Sequence, residues 1–167
     1  HQGATWTSGF IRWVTGLPYP PYSLPRAELD AVVAHIRERI AAEASWTERQ
    51  GQLAYFDQLL ADTATPERLA ATMAEPFERV SAWAKQYGVA PGDILLGEFG
   101  MIRQEYGNDH VVPAAQRAAY YRDMIGLAER HGFTWSMWSY GGAFGVVEEF
   151  DNRKAEPDVM EMVRELE

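Results

Sequence analysis

The chain has no cysteine, which removes disulfide scaffolds, thiolate metal sites and cysteine nucleophiles at once. Basic residues are scarce: 15 Lys and Arg stand against 24 Asp and Glu, for a formal net charge of −9 at pH 7. That balance argues against nucleic acid or an anionic membrane as a partner, because both select a basic face. No apolar run approaches the ~20 residues of a membrane span. His, Asp and Glu occur in no spacing that makes a metal site, so neither a metal nor another cofactor is expected. Gly141, Gly142 and Gly145 lack both the strand–turn–helix setting and the Lys of a phosphate loop. Ser8, Ser136 and Ser139 lack the elbow that presents a serine nucleophile. The sequence opens on His1 with no Met, basic segment or apolar leader. It reads as cut there, so the missing leader says nothing about compartment.

At 167 residues, one domain with a real core is the expectation. The chain is 47% hydrophobic and 23% charged, an ordinary globular balance rather than a disordered one. Aromatics are plentiful: 6 Trp, 8 Tyr and 7 Phe make 13% of the chain. Core packing accounts for part of that. The apolar CH faces of sugar rings also stack on aromatic side chains, so position along the chain must separate the two uses.

Helical spacing of Leu29, Val32, Val33, Ile36 and Ile40 predicts a helix over 26–44, with His35 at its edge and without chemistry. A weaker pattern over 46–60 places Trp46, Leu53, Phe56, Leu59 and Leu60 on one side, interrupted by Gly51. Thr65-Pro66-Glu67 is a helix start, with Thr as N-cap and Pro at the first helical position. The stripe in that helix is Leu69, Met73, Phe77, Val80, Trp83, Ala84 and Tyr87, with Gly88 as its stop. Pro76 should kink or split this helix. Pro113 opens another helix to about Arg130, and Pro157 the last. His131, at a helix C-terminus, reads as a favourable dipole contact. Four prolines make 17–25 an extended loop.

Two segments read as buried strands: 93–99, bounded by Pro91-Gly92 and Gly100, and 133–139. Helices alternating with buried strands imply an α/β fold with a parallel sheet. With so few strands visible, it is either a small sheet or a piece of a larger barrel. In parallel α/β folds the C-terminal strand ends carry the chemistry. Glu98 sits at one such end, flanked by Gly97 and Gly100, and Trp138 sits at the next, one strand–helix unit later. Tyr140 and Phe144 come after it in the loop. Trp135 and Trp138 are three apart and so point to opposite sides of a strand, Trp138 toward the site. His1, Gln2 and Trp6 fall in the same register at an earlier strand end. The competing reading makes Glu98 a structural acid paired with Arg103. Glu105, Asp109, Glu148, Glu149 and Asp151 read as solvated loop acids.

Taken together, these segments resemble glycoside hydrolase family 5, the cellulase family, whose fold is an eight-stranded (β/α) barrel. Ile94-Leu-Leu-Gly-Glu-Phe-Gly100 looks like its strand 7, ending in the nucleophile. Phe133-Thr-Trp-Ser-Met-Trp-Ser-Tyr140 looks like strand 8, whose last Trp stacks under the sugar. His1-Gln-Gly-Ala-Thr-Trp6 looks like the segment just after strand 6. The resemblance implies residues 1–167 form the C-terminal part of a (β/α)8 TIM barrel, from the end of strand 6 through strand 8 and the final helix. A helical insertion over 17–63 would precede strand 7. It further implies a secreted or periplasmic retaining glycosidase, cellulase- or endoglucanase-like, acting on a β-linked polysaccharide. Glu98 would be the nucleophile, and Trp138, Tyr140, His1, Gln2 and Trp6 would contact substrate, with no metal. The family's Asn-Glu acid/base motif occurs nowhere in the chain, so the chain alone is expected to be inactive. Its open sheet edges are expected to favour self-association. A carbohydrate-binding module and a purely structural α/β domain are the alternatives.

Overall fold

The computed structural model describes residues 16–104, 110–147 and 157–166. It is helix-rich α/β. Three helices come first: α1 (Arg26–Glu43), α2 (Trp46–Asp62) and α3 (Pro66–Tyr87). A β-α-β unit comes next: β1 (Leu95–Phe99), α4 (Ala114–Arg130) and β2 (Thr134–Met137). A final helix, α5 (Pro157–Arg164), packs on α4. The two strands are parallel neighbours, as expected for a strand–helix–strand crossover.

The helix starts obey their local chemistry. Ser45 and Glu48 close a capping box on α2. The Thr65 side chain accepts from the Arg68 N–H at 3.3 Å, with Pro66 in the first turn of α3. Gly88 ends α3 at φ +69°, a left-handed conformation that favours glycine. Neither Gly51 nor Pro76 breaks its helix: α2 is continuous, and α3 runs unbroken through Pro76. One missing donor is tolerated because the rest of that helix is held by Leu69, Met73, Phe77 and Ala84 in the core.

The apolar stripes are narrower than their periodicity implies. Trp46 is 85% exposed at the start of α2, one residue past its N-cap. On α3 the outer edge of the stripe is exposed, with Val80, Trp83 and Tyr87 on the surface. β1 is not the fully buried strand its composition predicts: Leu95 is 62% exposed, and only Phe99 is fully covered. The reason is that, among the described residues, no strand pairs with the second edge of β1 and no layer covers the sheet face opposite the helices. An apolar groove of about 260 Å³ opens between α3 and β1, lined by Pro76, Val80, Leu95 and Phe133 among others.

The core is therefore one-sided, formed between the helices and one face of the sheet. α4 supplies its centre, burying Ala118, Tyr120, Tyr121, Ile125 and Ala128. The proline-rich segment before α1 is extended as expected, with a short turn at Pro21–Ser23, but it is not a surface loop. Leu17 and Tyr19 are buried. The Tyr19 hydroxyl donates to Asp123 at 2.6 Å, and its ring meets Tyr120 edge to face at 5.5 Å.

Candidate active site

The open face of the sheet is built by alternation. On β2, Thr134 and Ser136 are exposed while Trp135 and Met137 pack toward the core. On β1 the alternation is interrupted. Leu95 pairs with Thr134 and Leu96 with Trp135, but the next pair is Phe99 with Met137. Gly97 and Glu98 thus stand opposite the single Ser136, a β-bulge that re-aims the side chains around it. It lets Leu96 and Phe99, three residues apart, both pack toward the helices, and it leaves Glu98 exposed.

Trp138 continues β2 beside the end of β1, its N–H donating to the Phe99 carbonyl at 2.9 Å. Glu98 and Trp138 therefore lie at adjoining C-terminal strand ends. Trp138 is 43% exposed and Tyr140 63% exposed, so both present ring surface to solvent. Trp135 takes the other side, edge to face with buried Phe99 at 6.3 Å. His1, Gln2 and Trp6 lie outside the described residues, as do Glu105, Asp109, Glu148, Glu149 and Asp151.

Beneath these groups lies a support that sequence reasoning missed. Arg117 on α4 is 0% exposed. Its Nε donates to the Met101 carbonyl at 3.1 Å. Its Nη2 donates to the carbonyls of Phe144 at 3.0 Å and Gly145 at 2.9 Å. One guanidinium thus ties the loop after β1 to the loop after β2, using the fixed fork of donors that only Arg offers. Tyr121, one turn on, donates its hydroxyl to the Trp138 carbonyl at 3.1 Å and packs edge to face on Phe99. Gly100 completes the contact: a Cβ there would collide with the Trp138 carbonyl oxygen. The loops are also joined directly, the Arg103 N–H donating to Ala143 at 2.7 Å. An Arg in the first turns of a helix reads as a surface residue, so its sequence carried no signal of this role.

His131 caps α4, with its Nδ1 2.9 Å from the Ser81 hydroxyl and its ring beside Phe77 and Phe133. It is structural and belongs to the opposite end of the strands. His35 is exposed on α1. Among the described residues no group of three or more His, Asp or Glu is arranged to hold a metal. Among them, too, no helix is long and apolar enough to cross a membrane.

No family model and no curated protein matches the chain. Solved structures are similar to part of it. One is a hyperthermophilic endo-beta-1,4-glucanase in complex with substrate, at 24% identity and TM-score 0.44 over 57% of this chain and 27% of that one. Another is the clostridial cellulose synthase subunit Z from Clostridioides difficile, at 24% identity and TM-score 0.46 over 59% of this chain and 29% of that one. A third, an endoglucanase, is 26% identical at TM-score 0.44, over 56% of this chain and 27% of that one. The chain thus spans under a third of the length of these proteins.

Proposed function

We propose that this chain carries the nucleophile half of a retaining β-glycosidase site, acting on a cellulose-like β-linked glucan, with Glu98 as nucleophile. The observation that carries the reading is the juxtaposition of the Glu98 bulge with exposed Trp138 at adjoining C-terminal ends of parallel strands. That is where (β/α) barrels do their chemistry. In this reading β1 and β2 are the last two strands of the barrel. The uncovered edge of β1 and the exposed Val80, Trp83 and Tyr87 of α3 face the places of missing neighbours. Residues 17–63 form the helical insertion ahead of strand 7.

The chemistry is set by the residue types. Glu98 attacks the anomeric carbon, the leaving oxygen departs, and a glycosyl ester forms. Water then hydrolyses it with net retention. Retaining enzymes set the second carboxyl roughly 5–5.5 Å from the first. No Asn-Glu pair occurs in the 167 residues, so that acid/base is supplied from outside them. Without it, rate falls by about 10²–10⁴, and the chain alone does not turn over unactivated glucan. Trp138 and Tyr140 offer ring faces to the sugar, and the family resemblance adds His1, Gln2 and Trp6 as proposed substrate contacts.

The test uses a leaving group that departs without an acid. Incubation with 2,4-dinitrophenyl 2-deoxy-2-fluoro-β-cellobioside should esterify Glu98, read as a mass increment on its peptide and absent in Glu98→Gln. Equal labelling of both proteins, or none in either, overturns the assignment. A binding-only role is the second reading, favoured by the exposure of Trp138 and Tyr140. It predicts no ester and cello-oligosaccharide affinity that survives Glu98→Gln but not Trp138→Ala.

A further inference from the structure

We propose that the hollow around Gly126, between α3 and α4, is a second carbohydrate site that takes one pyranose ring of a neutral oligosaccharide. It encloses about 310 Å³, at the small end of ligand pockets, which run ~300–1,000 Å³. It is remote from Glu98. Arg117, near the start of α4, reaches the loops beyond the strand ends, whereas Arg122–Arg130 lie along the half of α4 that leads back to the start of β2.

The helix creates the space by omission. Arg122, Gly126 and Arg130 succeed one another at four-residue steps and share a face. Gly126 contributes no side chain between them, and a Cβ there would lie 3.1 Å from Arg130 Nη1. One wall is apolar, from exposed Pro66 and Ala70 of α3, with Leu69, Met73 and Leu127 buried beneath it. The other is polar, from Arg122, Asp123 and Arg130, with Tyr22 also lining the hollow.

The lining decides the class of ligand. A purely apolar guest would strip water from a carboxylate and two guanidinium groups without replacing it. A simple anion would face the Asp123 carboxylate. A pyranose has apolar CH faces for the first wall and the Tyr22 ring. Its vicinal hydroxyls can donate to a carboxylate and accept from a guanidinium in one plane. The polar groups have capacity left. Asp123 Oδ2 accepts from Tyr19 at 2.6 Å, and the structure gives Oδ1 no hydrogen bond among the described residues. Arg122 contacts Glu165 through one nitrogen at 2.9 Å, in a half-exposed pair. Arg130 is a solvent-exposed end to α4 that can turn onto the ring. The glycosidase role proposed for Glu98 bears on this site only in the choice of a β-glucan oligosaccharide as probe.

The experiment is an amide-shift titration of the full chain with cellotetraose. In the native protein and in Trp138→Ala, the amides of 122–130 should move. Gly126→Leu fills the hollow while improving helix propensity. It should abolish those shifts and weaken binding there by roughly tenfold or more, a change of about 1.4 kcal/mol. Arg130→Ala should weaken it without filling the space. Three results overturn the proposal: immobile 122–130 amides in the native protein, shifts of native size in both Gly126→Leu and Arg130→Ala, or a stronger response to inorganic phosphate than to cellotetraose. Failure of the Glu98 site alone would read differently, as still amides at 98–100 and 138–140 with 122–130 responding.

Discussion

Replacing Arg117 by Met tests how the two loops behind Glu98 and Trp138 are held. Met fills comparable length with no donors. The change leaves the Met101 and Gly145 carbonyls, both in buried hydrogen bonds to Arg117, without this partner. The Phe144 carbonyl keeps the Ser139 N–H at 3.4 Å and suffers less. Two orphaned buried carbonyls cost about 1–3 kcal/mol each. Relief of the guanidinium's own burial offsets part of that, so the expected net loss is about 3 kcal/mol. For a chain of this length, each kcal/mol moves the midpoint by about 2–4 °C, a fall of roughly 6–12 °C. Urea and thermal unfolding followed by circular dichroism would measure it. Arg117→Lys should lose most of the same energy, since an ammonium cannot span three carbonyls in two loops. Both variants should also weaken the cello-oligosaccharide binding proposed at Trp138, whose carbonyl is held by the adjoining Tyr121. A loss below about 1 kcal/mol in Arg117→Met would refute the argument that this cation holds the loops.

The same packing sets three other expectations. Gly100→Ala must displace the Trp138 backbone and should cost about 1–3 kcal/mol. Gly97→Ala, whose Cβ would meet only the Leu95 side chain at 3.7 Å, is the near-neutral control in the same urea titration. Tyr19 has its hydroxyl pushed well above the ordinary tyrosine value, first by burial and then by the Asp123 carboxylate. A raised folded value means stability is present below pH ~10 and is lost above it, as the unfolded phenol ionises and the folded one does not. Between pH 10 and 11 this residue alone should remove about 1 kcal/mol, a slope absent in Tyr19→Phe; parallel pH curves would refute it. The exposed Leu95 and Trp83 should drive self-association at micromolar concentration, read by sedimentation and reduced by Leu95→Lys with Trp83→Glu. A strictly monomeric native chain would count against open barrel edges.

Local chemistry wrote much of the fold into the chain. The alternation of helices with two apolar segments gives the parallel β-α-β unit. The Thr65-Pro66 start, the Gly88 stop and the proline before α4 fix helix ends because capping involves only near neighbours. The Gly97-Glu98-Phe99-Gly100 string and the aromatic strand a helix later pointed to the strand ends as the candidate site. What needed tertiary structure was burial. Val80 and Trp83 share the period of Phe77 but not its neighbours, so periodicity alone could not tell core from open flank. The bulge opposite Ser136 depends on a pairing partner in the next strand, beyond α4. Arg117 becomes a tie between loops, and Gly126 the floor of a hollow, only when distant segments close around them. A sequence sets what each side chain can donate, accept or bury. Which of these it does is decided by the atoms that the fold brings within about 3 Å for a hydrogen bond and about 4 Å for packing.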